Sequence, residues 1–189
     1  MPYHTLLDGL EEERRSKGAL GTTRRGIGPV FADKVARLGI RAGDLLNKDT
    51  FSSCLKSALE LKNAILTKIY QVPPLSAEEI YEQYCYYGER LARFIREPIS
   101  IIHEALIRKE LILLEGAQGA LLDPDFGTYP YVTSSSPLVG AGAIGAGIGP
   151  MEINRAIGVF KAYITRVGGG PMPTELKDEI SELIREKGH

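Results

Sequence analysis

The residues of this 189-residue chain with the most chemical capacity fall in three short clusters. The first is Gly116-Ala117-Gln118-Gly119, which follows the apolar run Leu111-Ile112-Leu113-Leu114 and continues through Gly127-Thr128-Tyr129-Pro130-Tyr131-Val132-Thr133-Ser134-Ser135. Gln118 offers two donors and one acceptor, enough to read the edge of a heterocycle, while the flanking glycines permit a sharp turn and close approach of a ligand. The second is Gly21-Thr22-Thr23-Arg24-Arg25-Gly26-Ile27-Gly28-Pro29, where glycines and hydroxyls lead to a proline suited to a first helical turn. A loop entering a helix N-terminus with free amides and two hydroxyls makes a phosphate cradle, although an ordinary turn has the same composition. The third cluster is the glycine-rich segment from Pro137 to Pro150, in which residues 140–145 formally satisfy GxGxxG. A dinucleotide fingerprint should follow an apolar strand and be answered by an acid about 20 residues later. Here Ser134-Ser135-Ser136-Pro137 precedes it and Ala162 to Arg166 holds no acid, so the glycines are better read as letting the hydroxyl cluster wrap a polar ligand.

The elements that must position these clusters follow from hydrophobic period. Leu111 to Leu114 is a short unbroken apolar run, the pattern of a parallel strand covered on both faces, and ligands sit beyond the carboxyl ends of such strands. Leu6, Leu7 and Leu10 lie on one side of a helix whose other side is Glu11 to Arg15, with Gly18 placed to end it. Phe31, Val35 and Leu38 share a face after Pro29. A long helix over Asp49 to Tyr70, with Asp49 as N-cap, carries Phe51, Leu55, Leu59, Ile65 and Ile69; Gln71 to Leu75 stops it. Ser76 and Glu79 form a capping box for a second long helix through Ile80, Tyr84, Tyr87, Leu91 and Phe94, and Pro98 interrupts the pattern before Ile99 to Leu106 resume it. The spacing of Tyr84 and Tyr87 points to core packing, and His103 within an apolar helix to a hydrogen-bonded structural role. Asp123 and Asp125 read as turn and cap residues rather than a metal pair. Pro173-Thr174 introduces a charged helix to Lys187.

Three segments carry a resemblance to a known family. EGAQGALLDPDFGTYPYVTSS, GTTRRGIGPVFADKVARLGIR and KAYITRVGGGPMPTEL resemble the adenylosuccinate synthetases, over roughly Tyr3 to Leu176. The resemblance implies an α/β fold with a mainly parallel central sheet, P-loop GTPase-like and partial here, carrying a helical subdomain over 44–109 and a sheet core with IMP-binding loops over 110–176, all within one partial domain 1–189. It implies GTP-dependent ligation of IMP and L-aspartate, with Mg2+ and GTP required. Carried over residue by residue, Thr23 and Thr133 meet the IMP phosphate, Gln118 the hypoxanthine and Val167 the ribose through its backbone. Arg37 reaches across a homodimer interface to the partner subunit's IMP. The family's catalytic Asp and His have no matching motif in this chain, and neither does its nucleotide loop; no GxxxxGK[ST] occurs. The expectation is therefore a central fragment, inactive alone, without catalytic or metal-binding residues of its own. One departure stands out: Arg24 occupies the position where the family usually has glycine. A non-glycine residue at positive φ costs about 1–2 kcal/mol, so either the loop does not need positive φ there or its shape differs.

Composition limits the alternatives. Hydrophobic residues make up 43% and charged residues 25%, and no apolar run approaches the roughly 20 residues that span a bilayer. With 23 Lys plus Arg against 24 Asp plus Glu there is no broad field for nucleic acid or acidic lipid, so neither is expected as a partner and any anion site must be local. Cys54 and Cys85 lie in helical patterns without zinc-site spacing, and a reducing cytoplasm is the simplest setting. Besides a synthetase portion, the sequence admits a non-catalytic nucleotide-binding and dimerisation module completed by another chain, and, more remotely, a dinucleotide-dependent oxidoreductase built on the glycine run.

Overall fold

Helical period and capping account for most of the ordered structure. The computed structural model describes residues 1–187, and seven α-helices form among them. α1 (Pro2–Arg15) opens with proline in its first turn and buries Tyr3, His4, Leu7, Asp8 and Glu12. The expected division into an apolar side and a charged Glu11 to Arg15 side therefore holds only in part. Glu12 faces inward, because backbone N–H groups of the following loop are there to receive its carboxylate. α2 (Ile27–Ala36) starts after Gly26 at φ 80° and ends on Arg37 in the left-handed conformation, φ 64°. A side chain at Gly26 would put its Cβ 2.7 Å from the His4 carbonyl carbon, so glycine is what allows α1 and the start of α2 to meet.

α3 (Lys48–Lys68) is capped two residues before the expected position: Asn47, not Asp49, accepts the Thr50 N–H at 2.9 Å. Its buried stripe is Phe51, Leu55, Ala58, Leu59, Lys62 and Leu66, whereas Ile69 lies exposed past the helix end. α4 (Ala77–Leu91) starts as read, with the Ser76 hydroxyl accepting the Glu79 N–H. Across this pair Phe51 stacks on Tyr81 with ring centroids 5.6 Å apart, and Tyr84 meets Tyr87 edge-on at 5.4 Å. Tyr3, Phe51, Leu55, Ala58, Leu59 and Ile80 form the core, with Tyr84 and Cys85 packed against it. Cys54 and Cys85 are both free thiols. α5 (Pro98–Ile107) has Pro98 in its first turn and Glu97 as cap, accepting the N–H groups of Ile99 and Ser100.

The remainder departs from expectation. The mainly parallel sheet does not form: no strand occurs among the described residues. A parallel ladder needs a second strand to take up its N–H and C=O groups and layers to cover both faces. The Leu111 to Leu114 run has neither; Leu111 is 100% and Leu113 84% exposed. The glycine-rich segment is also not a wrapping loop over its whole length. Val139 to Ala146 is a helix, α6, ended by Gly147 in the left-handed conformation. His103, exposed rather than embedded, lies 3.3 Å from the Gly147 carbonyl oxygen and joins α5 to the end of α6. The final helix, α7 (Glu179–Lys187), starts later than Thr174, where Asp178 accepts the Ser181 N–H at 2.9 Å. Among the described residues no helix is long and apolar enough to cross a membrane.

Candidate functional site

The loop between α1 and α2 is held from behind by two acids one helical turn apart. Glu12 accepts N–H groups from Leu20 at 3.2 Å, Gly21 at 2.8 Å and Thr22 at 3.2 Å. Asp8 accepts the Gly26 N–H at 2.8 Å and the Thr22 hydroxyl at 2.9 Å. Burial pushes the Glu12 carboxyl up, but the Gly21, Leu20 and Thr22 amides, with the Arg15 guanidinium, outweigh it and leave the group below its ordinary value. The loop is thus not the array of free amides its composition suggests, because several of its donors are already engaged. Thr22 is engaged too: its oxygen also accepts the Arg24 N–H at 3.3 Å. Thr23 is exposed, and its hydroxyl makes no hydrogen bond among the described residues.

Arg24 resolves the question raised by its position. Its φ is +54°, so the loop keeps the left-handed turn that glycine favours and arginine bears the strain. Its guanidinium lies 3.4 Å from Glu13 at the surface. Gln118 is left-handed as well, φ 63°, as is Arg37. Ser16, Gln71 and Lys109 are the other non-glycine residues at positive φ among the described residues, and at Arg37 the left-handed conformation is that of the α2 C-cap.

Two distant segments close on this loop. Gly169 N–H donates to the Leu20 carbonyl at 2.8 Å, and a Cβ on Gly21, φ 76°, would lie 2.7 Å from Gly168 Cα. Val167, 79% exposed, is therefore carried beside the loop. A Cβ on Gly28, in the first turn of α2, would lie 3.6 Å from the Ser134 hydroxyl, which brings the neighbourhood of Thr133 to the same place. Arg166 links these two segments: its Nη2 donates to the Tyr131 carbonyl at 2.6 Å and to Thr128 Oγ1 at 3.1 Å, and its Nε to the Gly169 carbonyl at 2.8 Å.

The turn carrying Gln118 joins through Leu122, whose carbonyl accepts the Thr133 N–H at 2.8 Å. Asp123 organises that turn, accepting the Asp125 and Phe126 N–H groups and the Ser136 hydroxyl. The Ser136 hydroxyl first, then the two amides against burial, lowers its carboxyl below the ordinary value. Gln118 itself is exposed, four residues before Leu122. Arg37 is not brought to this cluster; the ten residues of α2 place it about 15 Å from the loop. A concavity lined by Tyr87, Arg90, Leu91, Arg93 and Phe94 shares no residue with the cluster.

The sequence model of one family, adenylosuccinate synthetase, matches residues 1–189. The chain belongs to the adenylosuccinate synthetase family. It is 59% identical over 189 residues to the adenylosuccinate synthetase of Dehalococcoides mccartyi, covering all of this chain and 45% of that relative. It is 51% identical to that of Limosilactobacillus fermentum, covering 44% of it. The fold is similar to that of the fully ligated adenylosuccinate synthetase from Plasmodium falciparum, with a TM-score of 0.90 and 38% identity over 98% of this chain and 43% of that one. The chain thus spans a little under half the length of these relatives.

The metal implied by the family finds no fitting set of side chains among the described residues. No group of three metal-ligating side chains occurs among the described residues, and the buried acids Asp8, Glu12, Asp33 and Asp123 are occupied by protein donors. The sequence singles out the loop residues by type but not the residues that hold the loop. Glu12 sat in a charged run that looked solvated, and Arg166 works on backbone carbonyls, which have no sequence signature. Only the i, i+4 spacing of Asp8 and Glu12 toward the glycine-threonine loop offered a clue.

Proposed function

We propose that this chain supplies the IMP-binding part of an adenylosuccinate synthetase, which joins IMP and L-aspartate with hydrolysis of GTP in purine biosynthesis. In that reaction GTP phosphorylates the 6-oxygen of IMP and the aspartate amine displaces the phosphate. The reading is supported chiefly by the approach of Ser134 to Gly28 and of Gly168-Gly169 to Leu20 and Gly21 on either side of Thr23 in the loop, in a chain of this family. Thr23 and Thr133 then take the IMP phosphate, Gln118 the hypoxanthine and Val167 the ribose. Arg37, about a helix length away and exposed, is offered to the site of a partner subunit in a homodimer. Residues 44–109 form a helical subdomain and 110–176 the region of the IMP loops, within one partial domain. GTP and Mg2+ are held by segments other than these, in the cytoplasm, without nucleic acid or membrane as partners. The 189 residues alone do not turn over.

Titration of the purified chain with IMP tests the reading. Thr133→Ala or Gln118→Ala should weaken binding, by roughly 10- to 150-fold where a charge-assisted hydrogen bond is lost at Thr133. Unchanged affinity would remove these residues from the site, and adenylosuccinate formation by the chain alone would refute its inactivity. A second reading, a nucleotide-binding and dimerisation module completed by another chain, is favoured by one observation. Leu111, Leu113, Val159 and Phe160 are 84–100% exposed, more apolar surface than a finished fold leaves in single segments. Turnover regained on mixing with the complementary segments supports that reading, and no regain counts against it.

A further inference from the structure

We propose that Asp8 and Glu12 are positioning residues for anion recognition, acting through the 20–26 loop and touching no ligand themselves. The inference deepens the reading above and rests on it. Two carboxylates behind a phosphate site are electrostatically adverse, since each would repel the anion. Their placement makes sense if geometry outweighs that repulsion. Glu12, 5% exposed, takes the three consecutive N–H groups of Leu20, Gly21 and Thr22. Asp8, 6% exposed, takes the Gly26 N–H and the Thr22 hydroxyl. Both ends of the loop are thus fixed to one turn of α1, and five donors are withdrawn from any incoming ligand.

This arrangement decides which threonine is available. Thr22 Oγ1 donates to Asp8 and accepts from Arg24 N–H, so it points back into the protein, while Thr23 is left outward. The same fastening sets the left-handed turn at Arg24, next to Thr23, which arginine would not adopt unaided. It also presents the Leu20 carbonyl to Gly169, so the 167–169 segment is placed by the same acids. Positioning and simple electrostatics predict opposite signs. Removing a carboxylate charge should tighten phosphate binding if repulsion dominates, and weaken it if loop geometry dominates.

The test is calorimetric titration of the full chain with IMP and, separately, with inosine, which lacks the phosphate. Glu12→Gln turns an acceptor of three N–H groups into a side chain with its own N–H donors facing them, and should weaken IMP by about tenfold or more. Inosine should change far less, whereas general loss of structure would lower both together. Thr22 is exposed, so its variants provide a version that does not disturb the helix core. Thr22→Val, which cannot donate to Asp8, should weaken IMP selectively, and Thr22→Ser, which can, should restore it. Unchanged or tighter IMP binding in Glu12→Gln and Thr22→Val, with wild-type binding intact, overturns the positioning role alone. No IMP binding by the wild-type chain overturns the role and the underlying reading together.

Discussion

Replacing Asp33 by Ala removes the single anion of a buried three-membered cluster. Asp33 Oδ2 accepts from His4 Nε2 at 2.8 Å and Oδ1 from Lys62 Nζ, with side chains 4%, 7% and 9% exposed. α1, α2 and α3 each contribute one of the three groups, so the cluster ties the two helices that flank the loop to α3. In the variant the Lys62 ammonium stays between helices without a counter-charge, and breaking a buried pair in this way costs about 3–5 kcal/mol. The backbone is not the cause, because the Asp33 carbonyl still accepts the Leu38 and Gly39 N–H groups. Urea unfolding followed by far-ultraviolet circular dichroism reads the loss as a lower midpoint at constant slope. Asp33→Ala combined with Lys62→Met should recover most of it, since the second change removes the stranded charge and leaves an apolar side chain of similar length. A loss below about 1 kcal/mol in Asp33→Ala would mean that the lysine stem swings its head to water, and the ion-pair argument would fail. Failure of the double variant to recover would fail it differently, by showing that the cost lies in packing.

Two further outcomes follow from single residues. Arg24→Gly relieves positive-φ strain of about 1–2 kcal/mol, opposed by about 0.4–1 kcal/mol of added freedom in the unfolded chain and by a surface ion pair worth about 0–1 kcal/mol. Its unfolding midpoint should stay level or rise slightly; a clear fall would show that the Arg24 to Glu13 contact contributes more than exposed pairs do. Burial lowers the His4 pKa, against the opposing pull of Asp33 and with help from the nearby amino terminus and Lys62. An imidazole depressed in the folded state takes up its proton more readily when unfolded, so its contribution is present above the ordinary value of about 6.5 and is lost as pH falls below it. Stability should therefore fall as pH drops from neutral through the ordinary histidine value of about 6.5, and His4→Asn should flatten that slope; an unchanged slope in the variant would assign the dependence to other groups.

Local signals in the sequence were legible and long-range ones were not. Ser76, Pro98 and the apolar stripe of α3 act within a turn or two, and those helices appear where the residues place them. The expected α4 stripe, by contrast, ends early: Tyr87, Leu91 and Phe94 are exposed and Phe94 lies past the helix end. Asn47 outcompeted Asp49 as a cap because both fit and only the chain's exit from the preceding turn chooses between them. The Leu111 to Leu114 run failed for a different reason: its pattern specifies a strand only when neighbours exist to pair with it, and none of the described residues provides one. The same distinction runs through the candidate site. Thr23, Gln118 and Thr133 announce themselves by type and by resemblance, but what makes Thr23 rather than Thr22 the available hydroxyl is an acid fourteen residues before Thr22. Nothing in the threonine pair itself encodes that choice. The threonine pair and the acid that engages one member of it are written on different elements, and only folding brings them together.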